Sequence, residues 1–345
     1  MTQAQTVIAT WLMGVLEQFA AQGLGTRGWS EGAWLHDACR QAPTRQLNLV
    51  IARRLWQQAA QQSGDPLLGL KVGAALPLQA MNVVAWLVMQ SASLRQALAL
   101  TVRYQSLVSN SGQFTAQPIA GGLRLAYQVT PCPVAMHASQ IDSVFAGYLS
   151  LLGHCAPPGV RPRTVALPGQ SLQLRAAYEA QLGCPVVLGA QAAWFEFDDE
   201  ALDRPFLAAD PQLLRLAQAR ADDMLRAQGH ADSLIDHVQA ALADQGFGSG
   251  SCVRVARRLG LSTRTLQRRL AAAATSFRQQ AEAARMNEAL RLLAGPALPL
   301  TRLCDRLGYS EPSALSHAVR AYWGASPSAL RRELLAGSPR FQCNK

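Results

Sequence analysis

The chain has 345 residues, of which 49% are apolar, 16% charged and 6% aromatic, a composition that excludes a disordered tail or a fibrous repeat and leaves length for two globular domains. Its formal net charge is +10, carried by arginine apart from Lys71 and Lys345, and such an excess points to an anionic partner. The excess is uneven: residues 230–345 hold sixteen Lys and Arg against eight Asp and Glu, a balance of +8, whereas residues 1–229 hold sixteen against fourteen, a balance of +2.

In chain order, Thr6 to Ala20, Leu47 to Gln62 and Met81 to Leu100 are expected as helices, separated by Gly23-Leu24-Gly25 and Gly64-Asp65-Pro66. The apolar run Val7 to Leu16 has no preceding Lys or Arg and is followed by Glu17, so it does not read as a signal peptide. No stretch has the roughly 18 uninterrupted apolar residues of a membrane span. From about Ser106 the pattern turns to strand alternation. Leu123, Leu125, Tyr127 and Val129 alternate with polar or small residues behind Gly121-Gly122. Thr164 to Leu167 and Trp194 to Phe197 are further strands, with helices over Met136–Leu152 and Leu172–Leu182, so this part is α+β. A last helix, Pro211 to Gln228, is expected to end at Gly229, which sets the domain cut.

Beyond Gly229 the chain reads as all helix. Leu234, Ile235, Val238 and Leu242 form an apolar stripe opened by Asp232 and closed by Gln245-Gly246. The glycine-rich run 246–250 lacks the preceding strand and following Gly-Lys-Ser/Thr of a phosphate loop, so it reads as an interhelical loop. Residues 253–273 then give a short helix, a turn at Gly260 and a second helix capped by Ser262. That is the pattern of a helix-turn-helix, with Leu266 and Leu270 inward and Thr263, Arg264, Gln267, Arg268 and Ala271 outward. Arginine and glutamine can grip guanine and adenine edges bidentately in a major groove. The pattern returns over about 301–322, with a turn at Gly308-Tyr309-Ser310 and a helix capped by Ser310. Between the units, a helix over 277–293 of about 26 Å approaches the roughly 34 Å between successive major grooves on one DNA face.

These residues resemble the AraC/XylS family of bacterial transcription regulators over about a hundred positions: "VARRLGLSTRTLQRRL", then "SF", then "R" and "A" of "RMNEALRLL", then "LGYSEPSALSHA" and "GASPSALR". The resemblance implies that Arg264, Gln267 and Arg268, with Thr263 at the helix start, face bases in the first unit. In the second it implies contacts by Ser313, Ser316, His317 and Arg320. Double-stranded promoter DNA across two successive major grooves and RNA polymerase are the partners it implies, with activation as the usual outcome. His317 stands where the family often has Arg, Leu315 and Val319 where it has Phe, and Leu303-Cys304 where it has Ile-Ala. A neutral imidazole carries no fixed charge, so base readout is expected mainly from the first unit and backbone contact from the second. The amino-terminal part is similar to the arabinose-binding-type domain of regulators like those for ornithine use, in "LGLKVG", "ASLRQALALTVRYQSLVSNS", "GGLRLAYQV", "LGCPVVLGA" and "FEFDDEALDRPFLAADPQLL". That similarity implies a small-molecule effector and a homodimer.

The expectation is an α+β effector and dimerisation domain, residues 1–229, followed by an all-α DNA-binding domain, residues 230–345, cytoplasmic and without cofactor or metal. An enzyme is disfavoured because HExxH, GxSxG and Walker patterns are missing and His36, His137 and His154 stand apart. The acidic run Asp198-Asp199-Glu200 reads as a solvated helix start. Seven scattered cysteines without a CxxC pair form neither a disulfide framework nor a zinc site. A thiol-based redox sensor using Cys132, Cys304 or Cys343 and a protein-binding adaptor are the alternatives. Trp86, Tyr104, Tyr127, Phe145 and Trp194 are aromatic residues available to an effector pocket, but no spacing singles out its lining.

Overall fold

A computed structural model of the chain describes residues 6–29, 32–132, 134–169, 171–247, 250–273, 275–294, 298–323 and 326–335. Cys343 and positions 248 and 249 of the glycine-rich run lie outside the described residues. The amino-terminal unit begins with β1 (Thr6–Ile8), α1 (Ala9–Ala21), α2 (Gly32–Gln41), β2 (Gln46–Asn48) and α3 (Leu49–Ser63). Each of the first two expected helices therefore loses its start to a three-residue strand. β1 and β2 pair antiparallel, Val7 opposite Leu47, a pairing across forty residues that no local periodicity reveals. The Asn48 carboxamide then caps α3 by accepting from the Val50 amide at 2.8 Å.

The long expected helix over Met81–Leu100 is two. After α4 (Leu68–Ala74), α5 spans Val83–Met89 and α6 spans Leu94–Tyr104. The break is made by two serines: Ser91 Oγ donates to the Leu87 carbonyl at 2.7 Å and Ser93 Oγ accepts from the Gln96 amide at 3.4 Å. β3 (Gly112–Ile119) and β4 (Gly122–Val129) form an antiparallel hairpin. They are followed by α7 (Ala138–Cys155), β5 (Thr164–Leu167), α8 (Arg175–Leu182), β6 (Val186–Leu188), β7 (Ala193–Asp198) and α9 (Asp199–Asp203). The five-stranded sheet has the order β3-β4-β7-β5-β6, all neighbours antiparallel except β5 and β6. At the open end of the hairpin the buried Arg53 donates from Nη2 to the carbonyls of Ser111 (3.2 Å) and Thr130 (2.7 Å).

α4 lies directly on α7. Gly69 and Gly73, one helical turn apart, bring the backbones so close that a Cβ on either would strike the carbonyl oxygens of Ser139 and Ser143. Phe145, facing the sheet from α7, stacks on Phe195 of β7 at 4.2 Å between centroids.

α10 runs unbroken from Pro211 to Gln245, through Gly229 and Asp232, so the expected helix end is corrected. A lone helical glycine costs only about 1 kcal/mol, and packing at both ends of the helix outweighs it. The chain divides into two compact units, one holding 5–130 and 135–225 and the other 226–345 together with the short segment Pro131–Val134, so that the main boundary falls inside this helix. Leu214 and Ala221 belong to a cluster with Val83, Leu87 and Leu100. Val238, Ala241 and Leu242 belong to the core of the second unit. That unit continues with α11 (Ser251–Arg258), α12 (Thr263–Ala272), α13 (Phe277–Ala294), α14 (Leu300–Leu307), α15 (Pro312–Trp323) and α16 (Pro327–Leu335) around one continuous apolar core.

Gly73→Ala should lower stability by about 1–3 kcal/mol through overpacking against α7. The same change at Gly153, where a new Cβ meets nothing within 4 Å, should raise it by about 0.5–1 kcal/mol. Urea unfolding midpoints of the two variants check this; equal shifts would show that the α4–α7 approach is not tight.

Candidate nucleic-acid interface

The two helix-turn-helix units turn by the same backbone device. After α11, Gly260 takes φ +65° and the Leu261 amide donates to the Ala256 carbonyl at 2.9 Å; after α14, Gly308 takes φ +72° and the Tyr309 amide donates to the Cys304 carbonyl at 3.0 Å. Both are left-handed helix endings with the amide reaching back five residues, a conformation that glycine adopts without a Cβ penalty. Ser262 caps α12, its Oγ accepting from the Thr265 amide at 3.1 Å. The second cap differs from expectation. α15 starts at Pro312, and the Glu311 carbonyl, not Ser310, flanks it by accepting from the Leu315 amide at 3.2 Å. Pro312 thereby takes the first helical position, where its missing N–H has no intrahelical partner to lose.

On α12, Leu266 and Leu270 are fully buried while Arg264, Gln267 and Arg268 are exposed and Thr263 is half-buried. Ala271 is exposed beside them, and Arg269, which the sequence did not single out, is exposed about 100° round the helix from Arg268. On α15, Leu315 and Val319 are buried, Ser313, His317 and Arg320 exposed, and Ser316 half-buried. Ser313 Oγ donates to Glu311 Oε2 at 3.1 Å.

The arginines of this unit fall into two groups. Arg258 pairs with Asp244 (2.7 Å), Arg291 with Glu288 (2.6 Å), and Arg331 donates to the Leu298 carbonyl (2.7 Å). Arg264, Arg268 and Arg320 make no hydrogen bond or ion pair among the described residues, which leaves their charge for a partner.

α13 carries Met286, Ala289, Leu292 and Leu293 into the core shared with both units. Its Arg285 Nη2 donates to the Phe247 carbonyl at 3.0 Å, and its guanidinium lies 5.7 Å from the Phe247 ring and 5.1 Å from the Tyr309 ring. Phe247 precedes the first helix-turn-helix and Tyr309 sits in the turn of the second, so one side chain holds both. Arg285 carries a joint that the sequence displayed only as a matching position within "RMNEALRLL".

In the amino-terminal unit a cavity of about 80 Å³ opens between α1, α3, α6, α7 and the β3–β4 hairpin. Of the aromatics named for a pocket, only Tyr127 lines it. Trp86 is 58% exposed. Tyr104 donates to Asp222 at 2.7 Å, Phe145 is in the aromatic core, and Trp194 lies under Arg124. Trp11 and Trp56, buried with a ring or edge toward the cavity, were missed because their helical spacing is that of ordinary core.

Asp198, Asp199 and Asp203 pair with Arg163 or Arg95. The Nε2 of His36 lies 3.2 Å from the Thr26 hydroxyl, His137 Nδ1 caps α7 by accepting from the Ser139 amide, and His154 Nδ1 lies 2.7 Å from the Ser150 carbonyl. No cluster of metal-ligating side chains is found among the described residues. Cys132 and Cys304 are buried. Burial pushes the thiols of Cys39, Cys155 and Cys184 up to about 11 and raises Cys252 and Cys304, with Asp305 adding to the last. Such thiols are poor nucleophiles.

Paired helix-turn-helix units behind an α+β domain define a DNA-binding transcription regulator. Residues 23–206 match the family model described as the arabinose-binding domain of AraC transcription regulator, N-terminal, and residues 255–333 match a helix-turn-helix domain. The first match alone spans more than half the chain, and the chain belongs to the AraC family of transcription regulators. It is 28% identical over 282 residues to the HTH-type transcriptional regulator VirS of Mycobacterium tuberculosis, covering 81% of this chain and 82% of that protein. It is 24% identical over 340 residues to the ornithine utilization regulator of Pseudomonas aeruginosa, covering 95% and 97%. The crystal structure of the transcriptional regulator CdpR from Pseudomonas aeruginosa aligns with 94% of this chain and 98% of its own at a TM-score of 0.47 and 18% identity. Among the described residues no helix is long and apolar enough to cross a membrane.

Arg285→Met, which keeps the stem and removes the charge, should lower the stability of the helical unit by about 2 kcal/mol and weaken DNA binding without touching α12 or α15. Thermal unfolding and gel shift measure both, and an unchanged midpoint would remove Arg285 as the joint. At pH 8, iodoacetamide should label Cys39, Cys155 and Cys184 about a hundredfold more slowly in the native protein than in urea, since two pKa units separate the thiolate populations. Equal rates would show that burial does not suppress the reactivity of these three thiols.

Proposed function

We propose that this regulator reads promoter DNA chiefly through α12, with Arg264, Gln267 and Arg268 on base edges and Thr263 at the helix start. In this reading α15 holds the duplex backbone through Ser313, Ser316, His317 and Arg320. Residues 230–345 act as the reader, and residues 1–229 sense a small effector and join two chains into a homodimer. Effector binding shifts an existing equilibrium between arrangements of the chain, and the DNA-bound form activates transcription by engaging RNA polymerase.

The observation that carries the reading is the row of uncommitted Arg264, Gln267 and Arg268 opposite the buried Leu266 and Leu270. Guanidinium and carboxamide groups are the side chains that bind guanine and adenine bidentately. On α15 the groups so placed are an exposed and a half-buried serine hydroxyl, one imidazole and one arginine, which suits phosphate contact.

Genome-wide recovery of bound DNA supplies the sites, and titration of those sites tests the roles. Arg268→Ala should cost about 1–3 kcal/mol and relax preference at one base position, whereas Arg320→Ala should weaken all sequences alike and flatten the salt dependence by about one counterion. Loss of base preference in Arg320→Ala with none in Arg268→Ala would reverse the assignment.

A further inference from the structure

The cavity in the amino-terminal unit has walls of one chemical kind. Trp11, Trp56, Phe114, Tyr127 and Tyr148 surround it with Val, Leu and Met side chains between them, and none of the residues lining it is Asp, Glu, Lys, Arg or His. The buried cation nearest in sequence to the lining, Arg53, gives its Nη2 to the carbonyls of Ser111 and Thr130.

The few polar groups on the walls are mostly committed to one another. Thr101 Oγ1 donates to the Ala97 carbonyl at 2.9 Å and lies 3.0 Å from the Tyr148 hydroxyl, so the tyrosine is the donor of that pair. Ser111 and Tyr127 share a hydroxyl bond of 3.2 Å. Gln105 spends both amide hydrogens on the carbonyls of Val102 and Phe114 and its oxygen on the Phe114 amide. Gln140 is the exception: it is 5% exposed, lines the cavity, and its Oε1 is buried with no hydrogen-bond partner. A buried acceptor without a donor is costly, and a bound molecule that supplies the donor removes the cost.

We infer that this cavity takes an uncharged, largely apolar molecule that donates one hydrogen bond, from a hydroxyl or an amide N–H, to Gln140 Oε1. The inference rests on the reading of this unit as the effector sensor and names the class of effector. An amino acid such as ornithine brings an ammonium and a carboxylate that the walls do not pair, and a buried unpaired charge is strongly disfavoured. A pentose brings several hydroxyls, each to be desolvated, to walls that are largely apolar and whose polar groups are mostly already paired. The names attached to the matching family model and to the ornithine regulator therefore do not transfer to the ligand of this chain.

The test uses the full-length protein, with 2-naphthol and 1-octanol as neutral probes beside naphthalene, decanoate, L-ornithine and L-arabinose. Calorimetry and the fluorescence of Trp11 and Trp56 report binding. The two neutral probes should bind, and Gln140→Leu should weaken 2-naphthol about tenfold, the value of one hydrogen bond, while leaving naphthalene unchanged. Binding of ornithine, arabinose or decanoate in preference to the neutral probes overturns the inference, as does failure of both neutral probes, and equal affinity of wild type and Gln140→Leu for 2-naphthol removes Gln140 from recognition. DNA affinity measured with and without 2-naphthol separates the two readings. Probe binding that leaves DNA affinity unchanged supports the ligand class and overturns effector control. Intact DNA binding with no probe bound overturns the ligand class and leaves the DNA reader standing.

Discussion

Both helix-turn-helix units hang on one helix, and the contact that ties them is the Arg285 guanidinium of α13, set against the carbonyl and ring of Phe247 on one side and the ring of Tyr309 on the other. A short helix-turn-helix cannot bury enough apolar surface to fix itself. Here each recognition helix contributes only two fully or nearly fully buried leucine or valine side chains, Leu266 and Leu270 on α12 and Leu315 and Val319 on α15. Their orientation is therefore set by the shared core around Met286, Ala289 and Leu293. A cation is suited to the seam because it satisfies a carbonyl and two aromatic faces at once, where an apolar side chain would leave the carbonyl unpaired.

The same economy explains how so basic a unit keeps charge for DNA. Arginines that build the fold are paired with Asp244 or Glu288 or hydrogen-bonded to backbone carbonyls, while Arg264, Arg268 and Arg320 on α12 and α15 have no hydrogen bond or ion pair among the described residues. The amino-terminal unit is organised on a different principle. Its glycine-mediated approach of α4 to α7 fixes the helix that presents Gln140, Val144, Tyr148 and Leu151 to the cavity, so that close backbone packing on one face of α7 positions the binding wall on another.

What the sequence made legible follows the range of the interactions. The helix-turn-helix units were readable to within a residue or two because their signals are local: Gly260 and Gly308 for the left-handed turns, Ser262 for a cap, and leucines at i, i+4. The cap of α15 was misplaced by one residue because Ser310 and Glu311 compete for it and Pro312 decides. The β1–β2 pair was not legible, since Val7 and Leu47 carry no mark of each other. The end of α10 was misread because Gly229 looks like a stop, and only packing beyond it keeps the helix intact. The cavity was not legible at all: Trp11, Trp56 and Gln140 sit at spacings that any amphipathic helix shows, and what distinguishes Gln140 is a missing partner, a property of three dimensions.

The central proposal is that α12 and α15 of one chain engage successive turns of the same duplex. Hydroxyl-radical footprinting of the intact protein on a recovered site tests it most directly. The account predicts two protected patches on one face of the duplex, about 10 base pairs apart, for each chain bound. A single patch per chain, unchanged when α15 is stripped of Arg320, would show that only one unit reads DNA and would contradict it.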